Sequence, residues 1–396
     1  MTHVLEAPTS VRDRADRLPQ RTRLDSFPRD PLATWLLRAA FAVPYLLVAW
    51  AESYSPAVAT LPTANHALLD HISRIDWSRA DVSWIGDIFP PLSTLLAAAI
   101  PGGETGLAIA GALIAGVFLQ KILEIMVQRR FPPGTTAILM IALAANPLFA
   151  YTATENFAAF LGLAFFGLGV ADIVRFVAWG NTQSGFRAGL FLMLAVLSDL
   201  SGALYALTAA SAAPFLRLGR HQQPGARGAN LLVIVFPTIA AISAIGTLNW
   251  IFLGNPLGST AQGMFVGTTQ RFESVGPILG SQNGLLLMAS VASAWVIALI
   301  VRRPGSVLVS TLVFAAIIGS YIIGLIPASS AGNDTFLLMT MMAIALVPIR
   351  REFITVVAID LVAVLQIVIA WGTAFTLGVV LQWMDTLLAV ERVLPR

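Results

Sequence analysis

Residues 32–56 read LATWLLRAAFAVPYLLVAWAESYSP. The first part, 32–51, is an apolar run with Arg38 near its start. About 20 such residues are what a helix needs to cross the roughly 30 Å hydrocarbon layer of a bilayer. The run ends at Glu52 with no spacer, followed by Tyr54. An ionisable group this close to hydrocarbon is expensive. Glu52 therefore marks a membrane boundary, or the boundary is where it works.

The composition outside this stretch points the same way. Of 396 residues, 57% are hydrophobic and 11% charged, and the mean hydropathy is +0.79. A soluble domain carries about 25% charged residues. The chain reads as one integral membrane unit, 32–384, between a polar, arginine-bearing segment, 1–31, and a short tail, 385–396. Residues 1–31 lack the early apolar core and small-residue cleavage site of a signal peptide, and read as a disordered cytoplasmic tail. Cysteine is absent, which excludes disulfides and thiolate metal sites.

Ten further apolar stretches follow the first, at 105–126, 134–150, 156–178, 187–200, 202–216, 229–252, 284–301, 306–326, 335–349 and 353–376. Together they predict an all-α polytopic membrane protein of about eleven transmembrane helices. The SDLSG break at Ser198 to Gly202 divides the stretch 187–216 in two. A cytoplasmic N-terminus places Lys121, Arg129, Arg130, Arg175, Arg187, Arg217, Arg220, Arg227, Arg302, Arg303, Arg350 and Arg351 inside. Arg74, Arg79, Arg271, Arg392 and Arg396 then fall outside, in agreement with the positive-inside rule. The expectation is a multi-pass plasma-membrane protein whose working face is extracytoplasmic.

The first outer loop, 52–104, is long and unlike the short inner turns. Its residues 63–76 (TANHALLDHISRID) predict an amphipathic helix lying on the membrane. Residues 88–103 (IFPPLSTLLAAAIPGG) are too short and interrupted to span, and predict a surface or re-entrant helix. His66 and His71 are five apart, the wrong spacing for metal ligands on one helical face. Asp76, Asp81 and Asp87 have the chemistry to chelate Mg²⁺ or Mn²⁺, although their spacing also suits ordinary caps and turns. Asp199 and Asp360 lie within apolar stretches, where a carboxylate is a functional hypothesis. Asp199 sits at the outer break, whereas Asp360 reads as structural. The methionines of 337–346 read as packing.

The order of these features resembles a family. A first span ends in an acid followed by an aromatic (Glu52, Tyr54), and a long outer loop carries a Pro-Pro-Leu turn (Phe89 to Leu92). The second span ends in the basic turn QRRFPP, a hairpin tip reads NPLFAYTATENF, 146–157, and a later span exits as NWIFLGNPLG, Asn249 to Gly258. The set is similar to the GT-C membrane glycosyltransferases, which take sugars from polyprenyl-phosphate carriers, and covers most of 32–350. The resemblance implies that Glu52 stands at the catalytic-base position, commonly Asp in such families. It implies a substrate role for Tyr54 and a second acid at Glu155. No segment matches the large outer domain that many members carry.

On that reading a carboxylate takes the proton of an acceptor hydroxyl, and a cation neutralises the leaving phosphate. Arg271, then Arg74 and Arg79, are the basic candidates, and Asp87, Glu155 and Asp199 the further acidic ones. The partners are a polyprenyl-phosphate sugar, a glycan or glycolipid acceptor and membrane lipid, with no nucleic acid. The alternatives are a lipid or solute transporter, with Asp199, Glu155 and Asp360 as a relay, and a non-catalytic membrane scaffold.

Overall fold

The computed structural model describes residues 27–54, 63–78, 84, 87–128, 130–179, 182–212, 226–256, 264–302, 304–346 and 353–389. Nearly all of the expected N-terminal tail, together with Arg79, Asp81, Arg129, Arg217, Arg220, Arg303, Arg350, Arg351, Arg392 and Arg396, lies outside them. Among the described residues every regular element is an α-helix. The first seven are α1 (Pro31–Tyr54), α2 (Ala64–Ser73), α3 (Pro91–Ala99), α4 (Gly103–Gln128), α5 (Pro133–Ala144), α6 (Pro147–Glu155) and α7 (Phe157–Trp179). There follow α8 (Thr182–Ser198), α9 (Gly202–Ala212), α10 (Ala226–Leu253), α11 (Thr268–Gly280) and α12 (Gln282–Ile300). The last four are α13 (Pro304–Ile322), α14 (Ala331–Leu346), α15 (Phe353–Thr376) and α16 (Gly378–Ala389).

Six of these, α1, α4, α10, α12, α13 and α15, are long and apolar enough to cross a membrane. The pair α5 and α6, bent by 50°, makes a seventh if it is one broken span. Each of the eleven predicted segments overlaps helical residues, with 134–150 divided between α5 and α6, and α8, α9 and α14 are shorter than 18 residues. Helices α2 and α3 lie within the two loop stretches 63–76 and 88–103.

The stretch 146–157, read as a hairpin tip, is mostly a buried helix. Asn146 ends α5 and caps α6, its side chain accepting from the amides of Leu148 (2.9 Å) and Phe149 (3.4 Å). Pro147 then occupies the first helical turn, where its missing N–H costs nothing. The freed carbonyl of Ala144 accepts from Tyr45 Oη at 2.8 Å, so α1 supports the bend. The reversal comes later, at Asn156, between α6 and α7.

Helix α4 is central. Half of its apolar window is buried, against 17% for α1. Small residues let its neighbours approach: a Cβ on Gly111 would lie 1.9 Å from the carbonyl oxygen of Ala153 in α6. One on Gly116 would lie 2.4 Å from that of Arg38 in α1. Without a hydrophobic drive between helices in lipid, such close backbone packing is a main source of cohesion. The core is aromatic, with Phe149 between Tyr45, Phe118 and Phe160, and Tyr205 stacked on Phe336 at 4.4 Å.

At one end of the bundle five charges compensate each other. Asp172 accepts from Arg175 (3.0 Å) and Arg187 (2.6 Å), while Glu124 accepts from Lys121 (2.9 Å) and Arg175 (3.3 Å). Lys121, Arg175 and Arg187, all assigned to the cytoplasmic side by charge, thus share one end.

Candidate active site

The opposite end of α4 is where Glu52 lies. Although it is the third residue from the end of α1, Glu52 is buried. Its Oε1 accepts from Thr154 Oγ1 at 2.7 Å and from the indole Nε1 of Trp383 at 2.6 Å. These donors lie 102 and 331 residues away, in α6 and α16. Its Oε2 is also buried, and no hydroxyl, amide or cation reaches it. The carboxyl of Glu155, itself buried at the end of α6, follows directly on Thr154, so the two acids share one buried region. Like charges repel strongly in a low-dielectric setting, so ionising one acid of such a pair disfavours ionising the other.

The supports come from the long loop and the C-terminal helix. Asn65, on the first turn of α2, donates Nδ2 to the carbonyl of Thr154 (2.7 Å) and accepts from the amide of Phe157 (2.8 Å). One buried side chain thus satisfies backbone groups on both sides of the α6–α7 reversal and fixes Thr154 and Glu155. Thr63 caps α2, accepting from the amide of His66 at 3.1 Å, and donates to Glu104 of α4 at 3.3 Å. His66 Nδ1 meets the same carboxylate at 2.8 Å. That hydrogen bond raises the His66 pKa above its ordinary value. From the other side Tyr151 packs edge-on against Trp383 with ring centroids 5.5 Å apart.

Of the residues singled out from sequence, the structure brings Glu52 and Glu155 together. Tyr54 stands on another face of α1, exposed and edge-on to Trp50 at 5.1 Å, as in an interfacial belt. Arg74 pairs with Asp70 on the exposed side of α2. Asp87 holds His71 Nε2 through its backbone carbonyl at 2.9 Å. Asp199 accepts from the amide of Ser201 at 3.0 Å, an Asx turn between α8 and α9. Arg271 lies on α11 with its guanidinium over the Gly324 turn, and its Nη1 is buried without a partner. Neither Asp199, Arg74 nor Arg271 forms a hydrogen bond or ion pair with the two carboxyls.

Asp76 accepts from the amide and hydroxyl of Ser78. No three His, Asp or Glu side chains converge among the described residues, and Asp81 lies outside them. No protein-family model, curated protein or solved structure matches the chain.

Sequence reading missed Thr154, Asn65 and Trp383. Asn65 carried a faint signal, a polar residue next to a Thr cap; Trp383 carried none beyond that of a belt residue. It also passed over Glu124 and Asp172, although acids inside apolar stretches three residues from Lys121 and Arg175 are a recognisable sign of internal pairing.

Proposed function

We propose that the chain is a membrane glycosyltransferase of GT-C type, with Glu52 as the base. One observation supports this above the others: Glu52 has one oxygen fixed by two donors from distant helices and the other without any donor. A carboxylate so held is oriented to accept a proton from a substrate hydroxyl. In the reaction the acceptor oxygen forms a bond to the anomeric carbon, and its proton passes to Glu52. The bond from that carbon to the phosphate oxygen breaks, and the phosphate leaves with the electron pair. In this reading Glu155 carries a proton beforehand, which leaves Glu52 free to receive one. Arg271, with an unpartnered Nη1, supplies the cation for the leaving phosphate.

The test is transfer by the purified, reconstituted protein from synthetic polyprenyl-phosphate sugars to a panel of acceptors. Glu52→Gln should lower turnover about 10²–10⁴-fold, the usual contribution of a general base. Glu52→Asp should keep part of the activity, and Arg271→Ala should raise the donor KM. Wild-type turnover in Glu52→Gln would remove the assignment.

The presence of two neighbouring buried carboxyls also favours a second reading, a proton-coupled carrier. Substrate uptake that releases protons from liposomes, lost in both Glu52→Gln and Glu155→Gln, would support it in place of transfer.

A further inference from the structure

Helices α11 to α14 line a groove that is open on one side. Its wall is apolar, made by Val275, Leu279, Leu287, Phe314, Ile318 and Leu337. One end is polar, with Asn283, Asn333, Asp334 and Tyr321. The first turn of α14 carries Asn333 and Asp334 and is held in place by Gly332. A Cβ there would touch Ala159 at 3.3 Å and Thr152 at 3.7 Å. The groove thus lies behind the helix that carries Glu155, with no hydrogen bond to it.

The polar end lacks partners. Asn333 is 7% exposed, and neither its Oδ1 nor its Nδ2 meets any group. Asn283 donates Nδ2 to Asp334 at a long 3.4 Å, and its own Oδ1 is unpartnered. Asp334 is 4% exposed and receives no other hydrogen bond. Tyr321 is committed to Ser274 at 2.6 Å. A buried polar group without a partner is costly, so an amide with both ends orphaned at the lip of a groove is a place where a ligand group would be stabilised.

The unmet groups are mostly acceptors. Asn283 Oδ1, Asn333 Oδ1 and the Asp334 carboxylate all accept, while Asn333 Nδ2 and the second N–H of Asn283 Nδ2 donate. A complementary ligand brings both O–H or N–H donors and acceptors. A phosphate or carboxylate head would set its charge against Asp334. Hydroxyls, which both donate and accept, fit the whole set. The apolar wall beside this end suits an alkyl or prenyl chain.

We propose that this groove binds an amphiphile with a polyhydroxylated head, its hydroxyls on Asn283, Asn333 and Asp334 and its chain along the apolar wall. Binding there needs no transfer chemistry. An active Glu52 enzyme whose groove takes no probe would refute the groove alone, and an inactive protein that binds would leave the groove standing.

The test uses the full chain in phosphatidylcholine nanodiscs with an octyl β-glucoside carrying a diazirine in its alkyl chain. Labelling should saturate, map to peptides of α11 to α14, and be competed by octyl β-glucoside but not by tetraethylene glycol monooctyl ether. Asn333→Leu, of nearly the same shape, should weaken binding about tenfold, equivalent to about 1.4 kcal/mol. Its melting temperature should hold or rise, because an orphaned amide has been removed. Leu337→Trp, which fills the wall, should abolish labelling. Scattered labelling, unchanged affinity in Asn333→Leu, or a lowered melting temperature in that variant would overturn the proposal. Competition by octylamine in preference to the glucoside would overturn it too, in favour of an ammonium head.

Discussion

Trp383→Phe in α16 tests whether Glu52 carries its charge where it is buried. The variant keeps an aromatic ring against Tyr151 but removes the Nε1 donor, 2.6 Å from Glu52 Oε1. A hydrogen bond to an ionised group contributes about 1.5–3 kcal/mol, and one to a neutral group about 0.5–1.5. Thr154 stays on the same oxygen at 2.7 Å and limits the loss. The donor term should therefore be about 2 kcal/mol with Glu52 present and about 1 kcal/mol in the Glu52→Gln background. The packing lost with the smaller ring is the same in both backgrounds and cancels in the double-mutant cycle. A coupling of about 1 kcal/mol is the expected result. The assay is unfolding by SDS in mixed micelles, followed by circular dichroism, for the four combinations. Coupling below about 0.3 kcal/mol, the range of simple additivity, would refute the reasoning. Glu52 would then be the protonated member of the pair, and the base would have to be Glu155.

Other outcomes follow from single features. Gly111→Ala should be strongly destabilising, by about 3 kcal/mol or more, because its Cβ would meet the Ala153 backbone. Gly134→Ala, with nothing within 4 Å, should be close to neutral in the same SDS unfolding assay. For His66, the bond to Glu104 raises the folded-state pKa above the ordinary 6.5. Its stabilising effect is complete below that ordinary value and is lost as pH rises through the folded one. Hydrogen exchange in α2 should accelerate across that window in the wild type and lose its pH step in Glu104→Gln. An NMR titration of His66 with a midpoint at or below 6.5 would contradict this. For orientation, Ser73→Cys and Thr269→Cys, both at exposed positions in a chain without cysteine, should label in intact cells with an impermeant thiol reagent. Protection of both until lysis would reverse the predicted sidedness.

The sequence by itself determined the helices. Each apolar stretch closes its hydrogen bonds within itself, so composition and length suffice to place it. It also marked the break at Ser198 to Gly202, where Asp199 makes its Asx turn, because that bond runs between near neighbours. Glu52 stood out for the same reason, as an acid at the end of an apolar run.

Only the tertiary structure decided what Glu52 touches. Helix rotation turned Tyr54 away from it, and the reversal at Asn156 brought Thr154 and Glu155 to it. Trp383 arrived from 331 residues further along the chain. Asn65, Asn333 and Asp334 gained their meaning in the same way, from neighbours supplied by other helices. Hydropathy records how far into a membrane a residue can go. It does not record which face of a helix meets which partner, and that is set by close contacts such as Gly111 on Ala153.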